Sequence, residues 1–131
     1  MLSSENRNFL VVNAFADRSV GGNPAGIFPH AEGLADEEMQ LIARQLYLVE
    51  TVFVFRCAEP NVDRHLRYFN PLKELPIAGH PTVVAWIALV HEGEVLLSER
   101  TTCAQKTQPG EAIDISSENG RVVISMQQQE P

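Results

Sequence analysis

One carboxylate and one glycine–histidine pair are the residues of this sequence whose types and settings suit chemistry. Glu50 lies between Val49 and an apolar run that contains two phenylalanines, so its carboxylate can be removed from water. Desolvation raises the pKa of a carboxylate toward the range that serves proton transfer near neutral pH. We therefore predict Glu50 as an acid/base. The alternative is a solvated carboxylate at a strand end, since acidic residues are mostly exposed.

The pair Gly79-His80 comes directly before Pro81 and a long apolar run. Proline lacks the N–H that a first helical turn leaves unpaired, so Pro81 is predicted as the first helical residue, with His80 at the cap. The free N–H groups and the dipole of a helix N-terminus favour a carboxylate or phosphate, and Gly79 lets a ligand approach the backbone closely. Gly79 and His80 are therefore candidate ligand-binding residues. A turn followed by a cap is the alternative at this point.

The helix that begins near His80 is predicted to be buried on all sides, because residues 83–90 leave no polar face. Gly93 supplies a stop signal. The run is shorter than the ~18–20 apolar residues needed to cross a bilayer, which argues against membrane insertion. A wholly apolar helix of this kind is expected in the middle of the fold.

The elements around that helix are predicted from hydrophobic periodicity and turn residues. Residues 36–47 carry apolar side chains at helical spacing, with acids in the first turn, and predict an amphipathic helix. Residues 21–26, rich in glycine, predict a loop. The clearest hairpin is expected around Asn119-Gly120. The predicted strands are 9–15, 27–28, 51–56, 64–69, 94–97, 101–105, 112–115 and 122–126, with 51–56 paired to 64–69.

Composition favours one domain and argues against several functions. The 131 residues are 44% hydrophobic, which suits a single globular core for residues 1–131. A net charge of −7, with ten scattered Lys and Arg residues, argues against a nucleic-acid partner. The four histidines show no metal-ligand spacing, so no metal site is expected. Cys57 and Cys103 have no short pairing and are interpreted as reduced thiols, which predicts a cytoplasmic protein.

Four segments that follow one another in the chain form a recognisable set. They are Val12-Asn13-Ala14-Phe15 with Gly22-Asn23-Pro24-Ala25-Gly26; Leu34-Ala35-Asp36-Glu37-Glu38-Met39-Gln40 with Ile42-Ala43; Glu50-Thr51-Val52-Phe53-Val54; and Arg67-Tyr68-Phe69-Asn70-Pro71 through Glu74-Leu75-Pro76 to Gly79-His80-Pro81. Together they resemble the phenazine-biosynthesis PhzF-like family of the diaminopimelate epimerase-like superfamily. Two departures lie within or beside them. Val49 replaces a usual serine, which can remove a hydrogen bond that positions Glu50, and Asn70 replaces a usual threonine.

The resemblance implies an α+β fold in which an antiparallel or mixed, β-barrel-like sheet wraps around a central apolar helix. It implies an isomerase without metal or organic cofactor, in which Glu50 is the catalytic acid/base that moves a proton between two carbons of a small metabolite. By the same resemblance, Gly79 and His80 are substrate-binding residues. Glu74 is interpreted mainly as a structural turn residue. A thiol racemase of the same superfamily is excluded, because Ala78 stands where those enzymes have cysteine.

Members of the resembled family carry two similar halves that face each other, and nothing in this sequence resembles the second half. Residues 122–128 look like the strand and link that lead into it, so the chain is expected to stop at a domain boundary. One hypothesis is an isomerase whose site is completed by a second copy, as a homodimer, or by a separate chain. The alternatives are a small-molecule or anion-binding module without turnover and a structural or interaction domain. The substrate is left open.

Overall fold

The computed structural model describes residues 8–14, 23–56, 64–76, 79–91, 102–107, 112–118 and 121–125. Its elements, in chain order, are β1 Leu10–Ala14, β2 Asn23–Phe28, α1 Asp36–Leu46, β3 Glu50–Arg56, β4 Arg64–Phe69, β5 Glu74–Leu75, α2 Gly79–His91, β6 Thr102–Thr107, β7 Ala112–Glu118 and β8 Arg121–Ser125. The strands form one sheet in the order β1-β2-β3-β4-β6-β7-β8, with β5 beside β4. The sheet is mixed, because β2 and β3, and also β4 and β6, run parallel.

Side chains alternate between the two faces of this sheet, and of the two helices in the described ranges one lies on each face. On β3, Val52 and Val54 face α2, whereas Phe53 and Phe55 face α1. The core under α2 contains Ala25, Ile27, Val52, Val54, Leu66, Tyr68, Ala85, Trp86, Ala88 and Leu89. The core under α1 contains Phe28, Ala31, Met39, Ala43, Phe53 and Phe69. The period of two along β3 therefore decides which side chains reach which helix.

Helix α1 forms where the sequence predicts it. Three acids occupy its first turn, where the helix dipole favours them, and Oε1 of Glu38 accepts a hydrogen bond from the Ala35 N–H at 3.0 Å. The helix buries Met39 and Ala43 against the sheet. It ends at Tyr47, which adopts the left-handed conformation with φ 54° and donates its N–H to the Ala43 carbonyl at 3.1 Å.

Helix α2 packs its apolar side chains against the sheet but is not buried on every side. Ala85, Trp86, Ala88 and Leu89 are buried, whereas Ile87 is 44% exposed. The expectation of burial all round is therefore wrong at Ile87. The helix also begins at Gly79, so His80 and Pro81 lie inside its first turn and not at the cap and first position. Within the described ranges, neither helix has the length and apolar content of a membrane-spanning segment.

The sheet is open in the described part of the chain, since β1 and β8 end the strand order and do not pair with each other. Helix α2 nevertheless lies against β1, β2, β3 and β8, which come from both ends of that order. The expected α+β architecture with a mixed sheet is confirmed. A closed, barrel-like sheet is not among the described pairings.

Most predicted strands are confirmed, including the pairing of β3 with β4 and the β7–β8 hairpin. The loop expected over 21–26 is wrong in its second part, because β2 already begins at Asn23. Pro24 stands opposite Asn13 of β1, whereas pairing with β3 starts only at Ala25, so on the β3 side its missing N–H interrupts no ladder bond. The strand predicted over 94–97 and the thiol of Cys57 lie outside the described residues.

Candidate functional site

Glu50 is the first residue of β3, where it pairs with Ala25 of the neighbouring parallel strand β2. Since side chains alternate along a strand, Glu50 shares a sheet face with Val52 and Val54, the face that α2 covers. The residue is partly buried, and its Oε2 atom is buried. A carboxylate oxygen is thus enclosed at the edge of the α2 core.

The first turn of α2 offers backbone donors at the same face of the sheet. It begins with Gly79, His80 and Pro81, and two of these three residues have a backbone N–H, since proline has none. The first N–H groups of a helix have no acceptor within the helix, and the helix dipole makes this end electropositive. Gly79 adds no side chain above these donors. The role predicted for the His80 side chain lies outside the described part of the structure.

Tyr68 connects this turn to the strands beside Glu50. Its phenolic oxygen lies 2.5 Å from the hydroxyl oxygen of Thr82, and both residues are fully buried. Tyr68 pairs with Val52 across the β3–β4 ladder, and Glu50 lies two residues before Val52 on the same face. Side chains on such a diagonal are about 7–8 Å apart. Glu50 and the first turn of α2 therefore lie on one face and at one end of the sheet.

The turn between β4 and β5 closes this end of the sheet. The Asn70 side-chain carbonyl accepts hydrogen bonds from the N–H groups of Leu72 and Lys73, both at 2.8 Å, and the Asn70 N–H donates to the Lys73 carbonyl at 2.9 Å. Asparagine suits this task because its short amide reaches backbone donors two and three residues ahead. The backbone carbonyl of Asn70 also accepts a hydrogen bond from the side-chain amide of Gln40, on α1, at 3.0 Å. Asn70, which stands where the resembled family usually has threonine, thus stabilises the β4–β5 turn.

Three exposed apolar side chains surround the Glu50 end of the sheet. Val49, directly before Glu50, is 52% exposed; Leu72, in the β4–β5 turn, is 83% exposed; and Tyr47, after α1, is 80% exposed. We call Tyr47, Val49 and Leu72 the apolar rim. Isolated exposed apolar residues are ordinary, but three at one end of a sheet are typical of a contact surface.

On the opposite face, Arg67 of β4 joins three elements. It donates to both carboxylate oxygens of Glu74, on β5, at 2.8 and 2.7 Å, and to Asp36, in the first turn of α1, at 2.8 Å. The hydrogen bond and charge of Arg67 hold the pKa of Asp36 below its ordinary value, and the hydrogen bond to Glu74 raises the pKa of Arg67 itself. Glu74 is therefore a strand residue in an ion pair, and its interpretation as a turn residue is wrong.

The sequence singled out Glu50 and Gly79, which the structure places at one end of one sheet face, but it missed Tyr68, Thr82 and the two-pronged ion pair of Arg67. These contacts join residues 7 to 31 positions apart, and the pairings are set by packing that no local pattern encodes. Among the described residues, no group of three or more His, Cys, Asp or Glu side chains could hold a metal ion. Among the residues that the structure describes, the groups identified at this end of the sheet are the Glu50 carboxylate and the backbone donors of α2.

The sequence matches one protein-family model, described as phenazine biosynthesis-like protein, over residues 12–131. The chain is 54% identical over 79 residues to an uncharacterized isomerase of Pasteurella multocida, a match that covers 60% of this chain and 27% of that protein. It is 35% identical to a trans-2,3-dihydro-3-hydroxyanthranilate isomerase of Pseudomonas aeruginosa, over 94% of this chain and 43% of the relative.

The fold also has a counterpart among solved structures. A crystal structure of a PhzF-family phenazine biosynthesis protein of Bacillus anthracis superposes with a TM-score of 0.73 at 37% sequence identity. The match covers 90% of this chain and 39% of that one. The chain therefore spans less than half the length of the proteins it matches.

Proposed function

The chain belongs to the phenazine biosynthesis-like protein family, and we propose that it provides the proton-transferring side of an isomerase site. The observation that carries the proposal is the placement of Glu50 and the first turn of α2 at one end of one sheet face. The Pseudomonas aeruginosa relative, an isomerase by its name, supports the reaction class. The substrate we propose is a small metabolite that bears a carboxylate.

In the proposed reaction, Glu50 removes a proton from one carbon of the substrate and returns it to another carbon of the same allylic system. The electron pair of the broken C–H bond forms a new double bond to the neighbouring carbon, and the electron pair of the original double bond forms the new C–H bond at the far carbon. No electrons enter or leave, so the step balances without a redox partner or cofactor. The substrate carboxylate binds at the N–H groups of Gly79 and its neighbours, where the dipole of α2 favours negative charge. His80, next to Gly79 in the first turn of α2, helps to bind the substrate and assists the proton transfer.

We propose that a facing half completes this site and covers the apolar rim. Tyr47 and Val49 come shortly before Glu50 in the chain and Leu72 lies in the β4–β5 turn at the same end of the sheet; all three are exposed, and burying such side chains favours association. The facing half is a second copy of this chain in the simplest arrangement, because two-fold symmetric dimers are the commonest soluble oligomers. A separate complementary chain is the other arrangement.

Solvent exchange tests the reaction. The purified protein is incubated in D₂O with trans-2,3-dihydro-3-hydroxyanthranilate and with other cyclic β,γ-unsaturated amino and hydroxy acids, and deuterium at carbon is followed by NMR. We expect exchange with the wild type and a loss of at least about a hundredfold with Glu50→Gln, a typical size for a positioned acid/base. The matched control is Glu37→Gln, an exposed carboxylate of α1 on the other side of the sheet. Equal rates for wild type and Glu50→Gln would reject the isomerase.

A binding module without turnover is the second candidate, and the electropositive first turn of α2 favours it. It predicts saturable binding of carboxylates with no exchange at carbon for any substrate. It also predicts that Glu50→Gln leaves carboxylate affinity unchanged or raises it, because removing a negative charge near the site cannot weaken anion binding electrostatically. The same preparations that serve the exchange assay decide between the two candidates.

Sedimentation velocity, which reports the oligomeric state, tests whether a second copy of this chain forms the facing half. We expect a dimer at micromolar concentration, and we expect Leu72→Ser and Val49→Ser to shift the protein toward monomer. Leu41→Ser, which changes an exposed leucine of α1 outside the rim, is the control and should leave the dimer intact. A wild type that stays monomeric across the micromolar range would contradict the homodimer.

Two finer features complete the proposal. We infer a barrel-like sheet curled around α2, supported by the contacts of α2 with β1 and β8 at the two ends of the strand order.

We also infer a cytoplasmic protein with reduced Cys57 and Cys103, supported by the lack of any short cysteine pairing in the sequence. Thiol labelling of the native protein before and after reduction tests the second point, and equal labelling is expected.

A further inference from the structure

We propose that the hydrogen bond between Tyr68 and Thr82 positions the first turn of α2 for the reaction at Glu50. The inference rests on the proposed function, because it names two positioning residues for that same site. Neither residue is assigned contact with substrate. Each acts through the turn that carries Gly79.

Burial makes this hydrogen bond an effective constraint. Both side chains are fully buried, and their oxygens lie 2.5 Å apart. Hydrogen bonds in a low-dielectric interior are stronger than in water, and their geometry is directional. A tyrosine side chain has few rotatable bonds, so its hydroxyl is held at a nearly fixed distance from its backbone. The pair therefore sets a spacing between β4 and α2.

The strand end of this spacing is fixed by the sheet. Tyr68 is paired on one side with Val52 of β3 and on the other with Leu75 of β5. The same β3 ladder carries Glu50 two residues before Val52. The position of the Tyr68 hydroxyl relative to Glu50 is thus determined by backbone pairing.

On the helix side, the Tyr68–Thr82 hydrogen bond is attached to the turn that carries the backbone N–H donors. Thr82 is the fourth residue of α2. It therefore lies less than one helical turn from Gly79, and one turn rises about 5.4 Å along the axis. The remaining buried residues of α2 that the structure describes are Ala85, Trp86, Ala88 and Leu89, which all lie further along the helix. Apolar contacts are non-directional and tolerate small slides, so they do not fix the first turn as a hydrogen bond does.

Tyr68→Phe and Thr82→Val test the proposal, because each removes one oxygen and keeps the size of the side chain. We expect kcat/KM for exchange at carbon to fall about tenfold or more, because small misplacements in an active site cost rate and the same turn binds the substrate carboxylate. The double variant should be no worse than either single one, because both remove the same hydrogen bond. Thr82→Ser keeps the hydroxyl and should restore most of the rate.

Thr51→Val is the matched control, since Thr51 is equally buried but faces the α1 side of the sheet. It should leave the exchange rate unchanged. A readout independent of turnover is amide hydrogen exchange at Val83, whose helical acceptor is the Gly79 carbonyl. Exchange there should accelerate in Tyr68→Phe and Thr82→Val but not in Thr51→Val.

The outcomes separate this inference from the proposed function. If the wild type outpaces Glu50→Gln but Tyr68→Phe and Thr82→Val match the wild type in rate and at Val83, the positioning role is overturned while the isomerase stands. If the wild type is no faster than Glu50→Gln, the isomerase fails, and the positioning of the turn is then decided by Val83 exchange. A rate loss that Thr51→Val shares, or that Thr82→Ser does not relieve, would also overturn the inference.

Discussion

Arg67 and Glu74 form a two-point ion pair, in which the arginine Nε lies 2.8 Å from Oε2 and Nη2 lies 2.7 Å from Oε1. The pair joins β4 to the two-residue strand β5, where Glu74 stands opposite Phe69 and Leu75 opposite Tyr68. So short a strand has few backbone hydrogen bonds of its own. The ion pair therefore stabilises the segment that leads from the β4–β5 turn toward α2.

Arg67→Lys should destabilise the protein. Lysine is a point charge and cannot form the planar fork that binds both oxygens of Glu74 and reaches Asp36 as well. We expect a loss of about 1–3 kcal/mol in the free energy of unfolding, measured by urea titration. Arg44→Lys, at an exposed position of α1, is the control and should change stability by less than about 0.5 kcal/mol. Equal effects of the two substitutions on the free energy of unfolding would contradict a stabilising role for the ion pairs of Arg67 with Glu74 and Asp36.

Asp36 gives stability a dependence on pH in the acid range. Arg67 lowers the pKa of the folded-state carboxyl, so its contribution is complete above the unfolded pKa and is lost as pH falls through the lower folded value. Asp36→Asn should therefore be less stable than wild type at pH 6, with the difference closing as pH falls below the ordinary aspartate pKa of about 3.9. The expected difference is below about 1 kcal/mol and shrinks in salt, because the carboxylate is 73% exposed.

Glu37→Gln separates the ion pair from the helix dipole in that experiment. Glu37 shares the first turn of α1 with Asp36, so both carboxylates interact with the same dipole. Only Asp36 bonds to Arg67 among the three acids of that turn. Thermal unfolding at several pH values should show the larger change for Asp36→Asn. A larger change for Glu37→Gln would show that the Arg67 contact is unimportant.

Thr51→Val should stabilise the protein. The Thr51 hydroxyl is buried, and within the described part of the chain it has no hydrogen-bond partner. Valine fills the same space without a polar group to desolvate, so we expect a gain of about 1 kcal/mol in the free energy of unfolding. Thr82→Val, at an equally buried threonine whose hydroxyl contacts Tyr68, should lose about 1 kcal/mol instead. A loss at both positions would show that Thr51 also has a partner.

Local patterns were enough to predict the elements whose periodicity is strong. The spacing of Met39 and Ala43 predicted α1, and the apolar runs after Glu50 and before Asn70 predicted β3, β4 and their pairing. The apolar run after Pro81 predicted α2, with its first helical residue placed two residues too late. In each case one repeating pattern decides both the element and its buried face.

Tertiary pairing decided the features that the sequence did not reveal. Residues Asn23 to Gly26 have turn composition, yet pairing with β1 and β3 draws them into a strand. The parallel pairing of β4 with β6 joins residues 41 positions apart, such as Arg64 and Gln105, and no local signal specifies such neighbours. At the candidate site, Glu50 and Gly79 followed from motif residues, whereas Tyr68 and Thr82 look like ordinary core positions until the fold brings their hydroxyls together.

One NMR titration tests most directly whether Glu50 and the first turn of α2 share a pocket. The uniformly labelled protein is titrated with 2-aminobenzoate, an aromatic carboxylate, and the Gly79 amide and the Glu50 side-chain carboxyl carbon are followed together. We predict that both signals move and saturate with the same midpoint, and that the Glu37 carboxyl carbon does not move. Signals that stay still, or that saturate at different midpoints, would contradict a shared pocket.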